Sequence, residues 1–187
     1  MRRERWTALC FAVGSTCFLI GPFPGYVDLV GPEAAAVTFF VGSILFTAGG
    51  ALQSWLAYGQ GSAERWSALI QSAGTLFFNV TTYQALSTTL SNPEYDKLVW
   101  RPDAFGSVCF LVSGVIAYRA APRQWQSTVN LLGCIFFGIA AVAGYLVPSK
   151  GSILDLAAAN WNTSLGAACF LACAVGTLRA AHPVRGR

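Results

Sequence analysis

GSTCF at residues 14–18 and GSILF at residues 42–46 are nearly the same five letters, written twice within the first fifty residues. GTLFF follows at 74–78, GSVCF at 106–110, GCIFF at 133–137 and GAACF at 166–170. Each copy has glycine, usually a small residue, two mostly apolar residues, then phenylalanine. The copies keep register with their surroundings. Trp6, Trp66 and Trp125 each follow a basic or polar residue, and each precedes a glycine by eight positions: Gly14, Gly74 and Gly133. Four further on stand Phe18, Phe78 and Phe137. After a variable loop, a second segment brings Gly42, Gly106 and Gly166 with Phe46, Phe110 and Phe170. Gly50, Gly114 and Ala174 come eight residues past those glycines. A fixed period of about sixty residues marks a repeat of one supersecondary unit.

The solvent of that unit is legible in what is missing. Only 11% of the 187 residues are charged, whereas 55% are hydrophobic; soluble domains carry about 25% charged residues. Residues 34–55, 66–87 and 124–146 contain no Asp, Glu, Lys or Arg. Each matches the ~20 residues needed to cross ~30 Å of hydrocarbon. Residues 6–23, 104–118 and 161–178 are shorter but equally uncharged. The expected fold is all-α: a single polytopic membrane domain over 1–187, with six transmembrane helices arranged as three parallel-repeat hairpins at 5–58, 65–120 and 124–180. The basic start followed by an apolar run has the form of a signal peptide. GPFPGY replaces a small-x-small cleavage site, and the repeat needs this segment as a retained helix.

Within such a hairpin the pentapeptide reads as packing. Residues four apart share a helix face. Glycine there is a notch, and phenylalanine one turn on is a knob. Lipid supplies no hydrophobic force between helices, so close van der Waals contact must hold them. Gly42/Gly50 and Gly106/Gly114 are expected to extend one groove.

The charge distribution predicts the orientation. Arg2, Arg3, Arg5, Arg65, Arg119, Arg123, Arg179, Arg185 and Arg187 fall on one side of six alternating helices; Lys97, Arg101 and Lys150 fall on the other. Positive-inside bias therefore places both termini in the cytoplasm. Trp6, Trp55, Trp66 and Trp125 would mark the inner interface, and Trp100 and Trp161 the outer one. Arginine outnumbers lysine ten to two beside abundant Ala and Gly, a codon bias that points to a high-GC bacterium and so to a bacterial plasma membrane. The net charge of +4 belongs to this asymmetry and implies no nucleic-acid partner.

Paired helices carrying G-S-x-x-F, led by a tryptophan at the membrane edge, resemble the YrhK-like domain of small bacterial membrane proteins. The resemblance covers Arg5 to Arg179; GSILF and GSVCF match most closely, whereas GCIFF and GAACF depart at the serine. That family is a domain of uncharacterised function, so the resemblance implies no catalytic residues.

Chemistry-bearing patterns are sparse. His182, in the basic tail, is the one histidine. That excludes bis-His haem ligation within one chain, ordinary His-based zinc sites and a Ser-His pair. Cys10, Cys17, Cys109, Cys134, Cys169 and Cys173 all lie in apolar spans, where cysteine packs as a small apolar residue; Cys169 and Cys173 share a face but lack a histidine partner. Gly59-Gln60-Gly61 is a turn, since no strand precedes it. Asn162-Thr163-Ser164 reads as an N-cap region. No acid or base sits deep in a span, which argues against ion pumps and proton relays. No catalytic residue, metal or cofactor is expected. One polar stripe stands out: Gln71, Thr75, Asn79 and Thr82 on the third helix, with Asn130 in register with Gln71. It is expected to make interhelical hydrogen bonds or to line a solute path with Asn79 near mid-bilayer. The segments GPFPGYVDLVGPE and SNPEYDKLVWRPD are expected to be outer loops, and 151–159 a loop or an interfacial helix.

The sequence thus favours a non-enzymatic interaction or accessory subunit of a larger inner-membrane complex for solute or lipid transport, partnered by the bilayer and by other membrane subunits. The alternative is a small carrier or channel with a polar path along the third helix.

Overall fold

The computed structural model describes residues 2–23, 25–87 and 90–180, so His182, Arg185 and Arg187 lie outside the described residues. Six long helices carry the fold: α1 (Arg2–Ile20), α3 (Pro32–Ala57), α4 (Ser62–Gln84), α6 (Arg101–Ala120), α7 (Trp125–Ala143) and α8 (Leu156–Ala180). Short helices α2 (Tyr26–Val30) and α5 (Asn92–Tyr95) precede α3 and α6. Four stretches are long and apolar enough to cross a membrane: Pro32–Ala57, Asn92–Ala120, Trp125–Ala143 and Leu156–Ala180. Helix α1 falls short because its first turn carries Arg2, Arg3, Glu4 and Arg5, and α4 because Gln71, Thr75, Asn79 and Thr82 dilute its apolar residues.

The pentapeptide decides which face of each long helix turns inward. In all six copies the glycine, the second residue and the phenylalanine are buried, and the third residue is exposed. Those three buried positions fall within an arc of about 100° on a helix of 3.6 residues per turn. Each phenylalanine covers the glycine of a partner helix. A side chain added to Gly42 would meet the Phe18 ring at 3.0 Å, and one on Gly14 the Phe46 ring at 3.1 Å. Helices α4 and α6 make the same exchange, Gly74 against Phe110 at 2.8 Å and Gly106 against Phe78 at 3.2 Å. So do α7 and α8, Gly133 against Phe170 at 2.7 Å and Gly166 against Phe137 at 2.5 Å.

Gly50 and Gly114 serve different neighbours from Gly42 and Gly106, contrary to the expected shared groove. Gly50 faces Ser72 of α4, and Gly114 faces Cys134 of α7. Eight residues at 100° each leave a rotation of about 80°, enough to turn the second notch toward the next helix. These joints carry hydrogen bonds. The Ser43 and Thr82 hydroxyls pair at 2.8 Å between α3 and α4, and Ser107 Oγ donates to the Phe137 carbonyl at 3.3 Å between α6 and α7. Ser164 Oγ donates to the Leu19 carbonyl at 3.0 Å, joining α8 to α1. The six long helices therefore close into a ring.

The six repeat phenylalanines meet inside that ring with Cys134 and Ala167. Phe78 and Phe110 lie edge to face at 5.0 Å, and Phe137 stacks on Phe170 at 5.5 Å. Rings of different pairs touch as well, Phe46 with Phe170 at 6.0 Å and Phe18 with Phe137 at 6.0 Å. Such pairs contribute about 0.5–1.5 kcal/mol each beyond area burial.

The connections differ from the sequence reading. GPFPGYVDLVGPE contains α2, bracketed by Gly25 and Gly31, both at φ 85°, a backbone that favours glycine. SNPEYDKLVWRPD is helical from Asn92 onward and continuous with α6. Ser91 and Glu94 form a capping box at its start, a signal hidden by the charges of the segment. A π-helical turn at Asp96–Trp100 precedes Pro102, which has no N–H to close an α-turn and so favours a wider one. Trp100 is half-buried: its indole donates to the Ala141 carbonyl at 2.8 Å and packs on Tyr145, so it staples the start of this helix to α7. Residues 151–159 form neither expected structure alone. Leu146–Val147 and Ser152–Ile153 pair antiparallel, and α8 then starts at Leu156. Asp155 Oδ1 caps α8 by accepting from the Ala158 amide at 2.9 Å. Asn162-Thr163-Ser164 is accordingly not an N-cap; Asn162 donates to the Ala158 carbonyl one turn back.

Gly74→Ala and Gly166→Ala should each destabilise the detergent-solubilised protein by about 1–3 kcal/mol, the cost of overpacking. Gly59→Ala, where an added Cβ meets nothing within 4 Å, should stay within about 0.5 kcal/mol of wild type. Thermal unfolding of the three variants side by side checks the contrast.

Candidate functional site

Below the phenylalanine layer, at the end of the ring bearing the first turn of α1 and the α3–α4 and α6–α7 turns, lies an axial cavity of about 490 Å³. All six long helices line it. Phe46 and Phe170 form its floor with Phe11 beside them; Gln71 and Asn130 stand on the wall; Glu4, Gln60, Glu64 and Gln124 surround the mouth. Its size is that of a small-molecule pocket.

The lining follows the repeat register. One residue past each tryptophan are Thr7, Ser67 and Gln126; two past are Ala8, Ala68 and Ser127; five past are Phe11, Gln71 and Asn130. All nine line the cavity. Eleven past the glycines of the second helices are Gln53, Ala117 and Thr177, which line it too. Offsets of one and five lie four apart, on one helix face. The cavity could therefore have been found by asking which positions share a face with the notch glycines one to two turns nearer the tryptophans.

The polar stripe of α4 divides between two roles. Gln71 is buried at the wall, where its Oε1 accepts from Ser113 Oγ at 3.3 Å. Asn130 lines the cavity from α7, and its Nδ2 lies 4.0 Å from Cys134 Sγ. Thr75 is fully buried and donates back to the Ser72 carbonyl at 2.6 Å. Asn79 and Thr82 face α3: Asn79 Nδ2 donates to Thr47 Oγ1 at 2.8 Å, and Thr82 pairs with Ser43. Asn79 lies outside the cavity lining, and its Oδ1 is buried without a hydrogen-bond partner. The twelve glycines and phenylalanines of the packing motif build the layer that floors the cavity.

A second void, of about 10 Å³, sits inside the phenylalanine layer among Phe18, Ser43, Phe46, Phe78, Phe110 and Phe137. It is too small and apolar to hold a water wire. The cavity is thus a cup.

No family model, no curated protein and no solved structure matches this chain.

Two outcomes test this geometry. With the other five cysteines changed to serine, Cys173, on the lining, should react with a small charged methanethiosulfonate. A variant retaining only Cys169, one turn away and off the lining, should not; equal rates would contradict the cavity. Asn79→Leu should change stability by no more than about 0.6 kcal/mol, the scale of one interhelical hydrogen bond in lipid, and should leave Cys173 labelling unchanged.

Proposed function

We propose that this chain is a non-enzymatic protein of a bacterial plasma membrane, crossing it six times as three repeated hairpins with both termini in the cytoplasm. Its axial cup takes up a small polar solute from the cytoplasmic side as a step in transport. The observation that carries this reading is the open cavity of about 490 Å³ lined by all six long helices, whose largely apolar wall carries the amides and hydroxyls of Gln71, Asn130, Ser67 and Thr177. Amides and hydroxyls that face a cavity inside an otherwise apolar bundle are costly unless water or a ligand satisfies them. Six crossings are supported by the outward faces of α1 and α4, which expose Leu9, Val13 and Ile20, and Leu69, Leu76 and Val80, as the four more apolar helices expose theirs. The arginine excess at the cup end supports the cytoplasmic assignment. The paired G-S-x-x-F helices support membership of the YrhK-like group.

A second reading, an accessory subunit of a larger inner-membrane complex, is favoured by the phenylalanine layer. It closes the axis, so the cup alone is a dead end.

Reporter fusions should place residues 60 and 122 in the cytoplasm and residues 31, 90 and 150 outside. In nanodiscs, a thermal-shift screen of small polar solutes should find compounds that raise the Tm of wild type but not of Ala117→Trp, whose indole would fill the cup. A screen showing no such difference retires solute uptake. Gentle purification that yields a stoichiometric membrane partner would move the balance to the accessory subunit.

A further inference from the structure

Gln71 is held in one orientation on the cup wall, and that orientation specifies a ligand. This step rests on the solute-binding reading above and names the class of solute. Gln71 is 6% exposed and lines the cavity. A short hydrogen-bonded chain fixes its amide. Ser67 Oγ, one turn nearer the mouth on α4, donates to the Ser113 carbonyl at 3.0 Å, and Ser113 Oγ donates to Gln71 Oε1 at 3.3 Å. With Oε1 taken, the free end of the amide is Nε2, which has no acceptor among the described residues. It is not sealed in the wall: the sealed, unpartnered side-chain atoms among those residues are Ser15 Oγ and Asn79 Oδ1.

Asn130 holds the same repeat position on α7. It turns Nδ2 toward Cys134 Sγ, 4.0 Å away, which leaves Oδ1 as its open group. Phe11 holds that position on α1. Helices α1, α4 and α7 alternate around the ring with α3, α6 and α8, so the three side chains enter the cup at one depth from three sides. Phe11 also extends the floor. Its ring lies 5.7 Å from Phe46, which lies 6.0 Å from Phe170.

A ligand at this depth must bring an acceptor for Gln71, a donor for Asn130 and an apolar face for the rings. A hydrocarbon leaves both amides unmatched, which is costly once water has been displaced. A carboxylate brings acceptors alone and sets its charge against Asn130 Oδ1. An ammonium ion brings donors alone and sets its charge against Gln71 Nε2. Either ion would be stripped of water beside phenyl rings. A polyol would turn hydroxyls onto those rings. An uncharged carboxamide carries both the acceptor and the donor.

We infer that the cup binds a neutral aromatic carboxamide or lactam, its ring against Phe11, Phe46 and Phe170, its carbonyl accepting from Gln71 Nε2 and its N–H donating to Asn130 Oδ1.

Calorimetric titration of the full chain in nanodiscs with benzamide, benzoate and benzylammonium tests the inference, with empty nanodiscs as the blank. Benzamide should bind most tightly, and salt should leave its affinity unchanged, because no charge is involved. Gln71→Met should weaken it about fivefold, the size of one hydrogen bond. Asn130→Leu should weaken it by a similar factor and carries the same test if Gln71→Met does not fold. Ala117→Trp should abolish binding. Undiminished benzamide affinity in a folded Gln71→Met or Asn130→Leu protein overturns the inference. If benzoate or benzylammonium binds as well as benzamide, and Ala117→Trp removes that binding, the preference for a neutral amide is wrong while solute binding stands. If none of the three binds, the inference falls, and solute uptake is then decided by its own thermal-shift screen.

Discussion

Among acyl chains an apolar side chain gains nothing by choosing protein over lipid, so a bundle in that solvent must be held by fit. Here the fit is a phenyl ring seated on a bare stretch of partner backbone. It occurs twice in each of three helix pairs, with contact distances that would bring an added methyl within about 3 Å of its neighbour. The rest of the architecture depends on it. The ring-over-glycine exchange sets how closely two helices approach, and it aims all six phenylalanines toward one axis. It also leaves the adjoining turns, where the inward residues are alanine, serine, threonine and amides, too far apart to fill the space between them. The cup is what remains when the bundle is tight at one level and its side chains are small at the next.

How much of this was legible in the chain varies with the range of the interaction. The pentapeptide and its one-turn spacing marked the inward face of every long helix, because local periodicity and burial coincide there. The second glycines are not legible from spacing alone, because position along a helix is not position on a face; an offset of eight residues looks collinear and is rotated by most of a right angle. Ring closure could not be read locally at all. Ser164 reaches Leu19 across 145 residues, and nothing near either residue announces the other. The outer connections failed for another reason. Charge and proline in SNPEYDKLVWRPD suggested a loop, yet Ser91 with Glu94 was already a helix start, and proline is tolerated once the turn before it widens.

The polar residues of α4 show why composition alone could not separate structure from site. Gln71 and Asn79 are two turns apart and chemically alike, but a rotation of about 80° sends one to the cup and the other toward Thr47 on α3. Equivalent positions in the other pairs resolve the ambiguity. Asn130 and Phe11 share the register of Gln71 and share its cavity, whereas Leu19 and Gly138 share the register of Asn79 and offer no comparable amide.

The phenylalanine layer also has an electrical meaning. Its internal void of about 10 Å³ is lined by five phenyl rings and one serine, leaving no chain of hydrogen-bonded water along which a proton could hop. The layer separates the cup from the far end of the bundle, so filling the cup opens no path for protons through it.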